Sequence, residues 1–234
     1  MPVFSKHAEG HFTSSAIVRD VVIGMSDGLT VPFALAAGIS GAIASSRIVV
    51  TAGVAEVAAG AIAMALGGYL AARTDAEHYK SELQREHDEV RDIPDAERHE
   101  VRSILESFGM ADATLDAATR AITKDRDRWV DFMMKLELGL EVPDPKRALT
   151  SGLTIGTSYI VGGLVPLIPY MAVPNASRAL IVSAIVTMIA LLIFGAVKGS
   201  LTGSSPIKSA FQTMLIGGVA SGVAFWLARF VAHL

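Results

Sequence analysis

The chain has 234 residues, 51% of them apolar against 18% charged, and a mean hydropathy of +0.46, a balance that places it in lipid rather than among soluble domains. Its net charge of −3 supplies no basic face for a phosphate backbone, which excludes a nucleic-acid partner. With no cysteine, disulfides, zinc–thiolate sites, iron–sulfur clusters and thiol nucleophiles are excluded, so any metal must be held by carboxylate, imidazole, thioether or backbone oxygen.

Residues 1–15 form a polar tail with Lys6, His7, Glu9 and His11. The apolar run that follows is too long for a signal-peptide core and holds Asp20 and Asp27, so the N-terminus is expected to be retained. Apolar runs long enough to cross a bilayer occupy residues 16–44 and 48–72, separated only by Ser45, Ser46 and Arg47, a link short enough to force an antiparallel hairpin. Three more runs follow at 148–173, 179–197 and 207–231. Five spans put the termini on opposite sides. Lys6, Arg73, Lys146, Arg147, Lys198 and Lys208 then share the N-terminal side, against Arg47, Arg178 and Arg229 opposite, which predicts a cytoplasmic N-terminus.

Between the second and third spans, residues 73–147 hold 13 of the 20 basic and 19 of the 23 acidic residues. This is a soluble, cytoplasmic insert, predicted as three helices. Asp75 caps the first, which runs to about residue 92; the second covers 95–108, started by Pro94 and stopped by Gly109; the third covers 112–140 and ends before Pro143 and Pro145. The fold class is an all-α membrane protein: helices in 16–72 and 148–234, the insert in 73–147. A weak internal echo joins Gly28-Leu29-Thr30-Val31 to Gly152-Leu153-Thr154-Ile155, as in duplicated transporter folds.

Outside the insert the chain has four acids, and three of them, Asp20, Asp27 and Glu56, fall within predicted spans. Each carboxylate near a bilayer centre costs on the order of 3 kcal/mol, so three together point to function before structure. Asp20 and Asp27 are two helical turns apart and lie on one stripe, while Glu56 and Met64 share a broad face of the second span. A carboxylate beside a thioether tilts selection from hard cations toward iron(II) and its neighbours, and loading a dication onto carboxylates releases protons. In the insert, Glu86 with Glu89 and Glu97 with Glu100 form two Glu-x-x-Glu pairs on either side of a turn; Met133, Met134 and Glu137 add soft donors and a further acid. The same pattern also describes a solvated acidic face over a methionine-lined core. His78, His87 and His99 are candidate outer ligands, each more readily read as a surface histidine.

The stretch Ser26-Asp27-Gly28-Leu29-Thr30-Val31-Pro32-Phe33-Ala34-Leu35-Ala36-Ala37-Gly38 resembles the first-span motif of the vacuolar iron transporters and their microbial relatives. The order of two spans, an acidic helical insert and three spans is also similar to that family. The resemblance implies a homodimer with an ion path between subunits, along which iron(II) leaves the cytosol as protons move the other way. Manganese, cobalt and zinc suit similar donors. It implies that Asp20, Asp27, Glu56 and Met64 line the path, and that Glu86, Glu89, Glu97, Glu100, Met133, Met134 and Glu137 bind metal in the insert. It further implies a transporter rather than an enzyme, in the vacuolar membrane of a eukaryote or the inner membrane of a bacterium. Two other readings are a membrane-anchored di-iron oxidase, disfavoured because neither pair is Glu-x-x-His, and a metal sensor.

Overall fold

The computed structural model describes residues 15–232, in which eight helices and no strand are present; most of the polar tail expected over 1–15 lies outside the described residues. The helices are α1 (Ser15–Ala42), α2 (Ser46–Asp92), α3 (Pro94–Ser107), α4 (Asp112–Thr123), α5 (Arg126–Leu136), α6 (Arg147–Ala172), α7 (Ala176–Leu201) and α8 (Pro206–Ala232). Five of them, α1, α2, α6, α7 and α8, are long and apolar enough to cross a membrane. Their outer faces suit acyl chains: on α8, Ile207, Trp226 and Phe230 are each about two-thirds exposed or more, an apolar surface that water would not tolerate.

Two units divide the chain, one made of residues 1–69 with 148–234, the other of 70–147. In the first, α1, α7 and α8 pack on one another, and Leu29, Leu191 and Phe194 fill the space between them. A second core gathers Ala36, Val49, Val57, Leu167, Tyr170 and Ala179. The turns α1–α2 and α6–α7 are laced together by Ser46 N–H to the Pro174 carbonyl at 3.2 Å and Ala176 N–H to the Ala44 carbonyl at 3.0 Å. Helix α1 comes against α6 at Gly28, where a Cβ would lie 2.4 Å from the Tyr159 carbonyl oxygen; only glycine permits that approach.

The second unit has its own core of Val90, Val101, Leu105, Leu115, Trp129, Val130, Met133 and Met134. Two expectations about it are corrected. Asp75 starts no helix: α2 continues without a break from Ser46 to Asp92, because residues 69–92 contain neither glycine nor proline and the Arg73–Glu77 pair, 2.8 Å apart, supports the turn where a start was expected. The predicted helix over 112–140 is two helices. Asp125 adopts an extended conformation and its carboxylate accepts the Arg128 N–H at 2.9 Å, so it ends α4 and caps α5. Helix α5 stops at Leu136, and Gly139 at φ +64 turns the chain away.

Candidate metal centre and intramembrane carboxylates

In the polar unit, a one-residue break folds α3 back beside the end of α2. Ile93 leaves helical geometry, Pro94 begins α3, and the Ile93 carbonyl receives the N–H groups of Ala96 and Glu97 at 3.0 and 3.3 Å. Glu86 and Glu89 on α2 thereby meet Glu97 on α3, each offering one carboxylate oxygen within 4.8 Å of the others. Two oxygens that each bind a divalent cation at about 2.1–2.5 Å lie no more than about 5 Å apart, so this spacing suits a shared ion.

The surroundings are unusual for acids. Glu86 is 1% exposed and Glu97 2%, and the Oε2 atom of each is buried with no protein hydrogen-bond partner. Burial, and after it the neighbouring carboxylates, Glu137 foremost, push the Glu86 carboxyl up to about 7; burial and then Glu100 push Glu97 up to about 7 as well. Glu137, at the end of α5, is raised by burial and by Glu100, with which it shares a side-chain hydrogen bond. The guanidinium of Arg85 is a weak counterweight, 3.9 Å from Glu86 and 3.7 Å from Glu89 but 2.7 Å from Glu82. Five glutamates therefore act on one another, and the unpartnered oxygens call for protons or a cation.

The seven insert residues singled out in the sequence do not all share this environment. Met133 and Met134, 0% and 1% exposed, lie in the apolar core, which by itself accounts for their burial. None of the three histidines belongs to the group of converging carboxylates; His78 and His99 are exposed and His87 is half-buried.

Among the spans, Asp20 is 1% exposed and partnered within the protein, while Asp27 and Met64 are half-buried. Glu56 accepts a hydrogen bond from the Tyr159 hydroxyl through Oε1, and its Oε2 is buried without a partner. Tyr159 is the residue that sequence reasoning missed. Its ring stands over Gly60, where a Cβ would lie 2.5 Å from the hydroxyl, and its backbone abuts Gly28, the neighbour of Asp27. One residue of α6 thus touches both helices, with its backbone against the one that carries Asp27 and its side chain against the one that carries Glu56. The available signal was a phenol inside a predicted span, since a buried tyrosine hydroxyl needs a polar partner.

A helical membrane protein with carboxylates inside its spans, and converging glutamates in its polar unit of which two are buried and raised above the usual carboxylate range, has the makings of a protein that handles cations. Comparison with known proteins narrows the class. A family model described as the VIT family matches residues 18–229. The chain is 55% identical over 227 residues to "Vacuolar iron transporter 1" of Arabidopsis thaliana, covering 97% of this chain and 91% of that one. It is 57% identical over 229 residues to the protein of the same name from Eucalyptus grandis, covering 98% and 92%. To "Protein CCC1" of Saccharomyces cerevisiae it is 38% identical over 221 residues, covering 91% and 68%. The chain belongs to the VIT family.

Proposed function

We propose that this protein is a transporter, not an enzyme, that moves iron(II) out of the cytosol into a vacuole in exchange for protons. The near full-length likeness to proteins named vacuolar iron transporters carries the choice of iron and of membrane. The residues carry the mechanism. Asp20, Asp27, Glu56 and Met64 line the path; carboxylates that hold a dication must release their protons, which links metal movement to proton movement in the opposite sense. The thioether of Met64 favours iron(II) over magnesium and calcium, and leaves manganese, cobalt and zinc as secondary cargo.

In this reading the chain works as a homodimer with the N-terminus and residues 73–147 on the cytoplasmic side. The insert gathers metal: Glu86, Glu89, Glu97, Glu100 and Glu137 form its oxygen ligands, with Met133 and Met134 beside them as soft donors. The support is the pair of buried, unpartnered oxygens on Glu86 and Glu97. A di-iron oxidase is disfavoured, because no histidine belongs to the group of converging carboxylates among the described residues.

Proteoliposomes with a trapped iron(II)-sensitive dye and an imposed pH gradient test the proposal. Fe²⁺ influx that requires the gradient and falls to background in Asp27→Asn is the expected result. Gradient-independent flux, or equal flux in the variant, refutes it.

A further inference from the structure

We propose that the turn joining α7 to α8 is a binding site for a phosphate-bearing anion. The proposal rests on a cavity, a charge imbalance and a rigid frame, all within the membrane unit, and holds whichever cation is carried.

The cavity, about 520 Å³, opens between the end of α7 and the start of α8, and both Lys198 and Lys208 line it. Residues 148–234 contain four cations and not one aspartate or glutamate, so the last three helices offer neither ammonium a carboxylate. Among the described residues no ion pair involves either lysine; Lys198, half-buried, donates instead to the neutral Thr213 hydroxyl at 3.0 Å. Two ammonium groups lining one cavity, with no ion-pair partner among the described residues, are the electrostatic complement of an anion.

The other lining groups are suited to phosphate oxygens. Ser204, Ser205 and Gln212 bring hydroxyl and amide donors. Ser209 also lines the cavity; it is only 7% exposed, and its hydroxyl takes no part in the hydrogen bonds of the described residues. Helix α8 begins at Pro206, and the Ser209 N–H to the Ser205 carbonyl at 3.0 Å is an early helical bond; the N–H groups of Ile207 and Lys208 precede it, at the positive end of a long helix dipole.

The frame is fixed before any ligand arrives. Gly203 takes φ +70, the Ser204 N–H bonds the Gly199 carbonyl at 2.9 Å, and the Thr202 N–H bonds the Lys198 carbonyl at 2.9 Å. A Cβ on Gly199 would meet the Ser209 Cβ at 2.8 Å and the Pro206 Cα at 2.9 Å, so the wall between the two helices has no slack. Ile207 and Phe211 beside the cavity are 72% and 58% exposed, as lipid-facing side chains are, which puts the two lysines at headgroup level. The phosphate of an anionic lipid and free inorganic phosphate share the required chemistry.

The test uses the full-length protein in phosphatidylcholine nanodiscs, as wild type, Lys208→Gln, Lys198→Gln and Lys208→Arg. One arm adds phosphatidic acid and counts retained lipid by native mass spectrometry; the other adds inorganic phosphate and follows thermal melting. The expected result is retention of phosphatidic acid by the wild type and Lys208→Arg with at least tenfold weaker retention by both glutamine variants. Stabilisation by inorganic phosphate that both glutamine variants lose identifies free phosphate as the source and equally supports the site. Lys208 is exposed and its side chain makes no hydrogen bond or ion pair among the described residues, so Lys208→Gln reads binding even if Lys198→Gln disturbs the Thr213 contact. Equal behaviour of wild type and Lys208→Gln in both arms, or no binding by the wild type in either, overturns the proposal.

Discussion

Replacing Glu86 with glutamine should make the metal-free protein more stable and the metal-treated protein no better. The Glu86 carboxyl is raised from its ordinary 4.5 to about 7, by burial first and neighbouring carboxylates second. An acid raised on folding costs stability wherever the unfolded chain would lose a proton that the folded chain keeps or gives up only at a penalty. The penalty is absent below about 4.5, grows between about 4.5 and about 7, and is level above that. Across that interval it reaches about 3 kcal/mol, an amount Glu86 partly shares with its neighbours. Glu86→Gln removes it, and for a polar unit of this size the melting temperature at pH 8 should rise on the order of 10 °C, with most of the gain gone by pH 5. Trp129, 4% exposed in the core of that unit, reports the transition by fluorescence once the exposed Trp226 on α8 is changed to phenylalanine. Manganese(II), stable toward oxygen, should raise the wild-type melt at pH 8 and leave Glu86→Gln unmoved. A variant that melts at or below the wild type at pH 8, or keeps the manganese effect, refutes the reasoning.

Tyr159→Phe keeps the ring over Gly60 but strips Glu56 of its donor; leaving the acid unpartnered costs about 1–3 kcal/mol, and liposome flux should fall several-fold while folded yield by size-exclusion chromatography is preserved. Gly28→Ala places a methyl 2.4 Å from a backbone oxygen that cannot step aside, so α1 should part from α6 at a cost of about 1–3 kcal/mol or more, seen as a lower melting temperature in detergent. Thr187→Val should act the other way: Thr187 is fully buried with an unpartnered hydroxyl, and the variant should be more stable by about 1 kcal/mol in the same melt.

The spans were legible because lipid imposes one rule along a whole helix. Reading at the residue level was poorer at their ends. The fourth span was expected over 179–197, bounded near Arg178 and Lys198, yet α7 runs from Ala176 to Leu201; Asn175 caps it by accepting the Arg178 N–H at 3.1 Å, and a charged residue in the first or last turn does not end a helix. Asp75 misled for the converse reason: a good capping residue caps nothing when the chain before it is already helical. The break at Asp125 depends on one local hydrogen bond, which a helical pattern running across it conceals. In the polar unit, the meeting of Glu86, Glu89 and Glu97 followed from two Glu-x-x-Glu pairs either side of Pro94. Their burial did not, since glutamate in a charged helix reads as surface. Tyr159 escaped because its importance lies in partners more than a hundred positions away on another helix.

The clusters of buried side chains that hold this chain together share no residue: one is centred on Trp129 and Met133, the others on Leu29 and Leu167. The first belongs to the polar unit and the others to helices long and apolar enough to cross a membrane, so they should answer to different reagents. Urea attacks the first through its aqueous surface, whereas exchanging dodecyl maltoside for a shorter, harsher detergent attacks the rest. Unfolding should come in separable stages, and a lone midpoint quoted for the entire polypeptide would blend them.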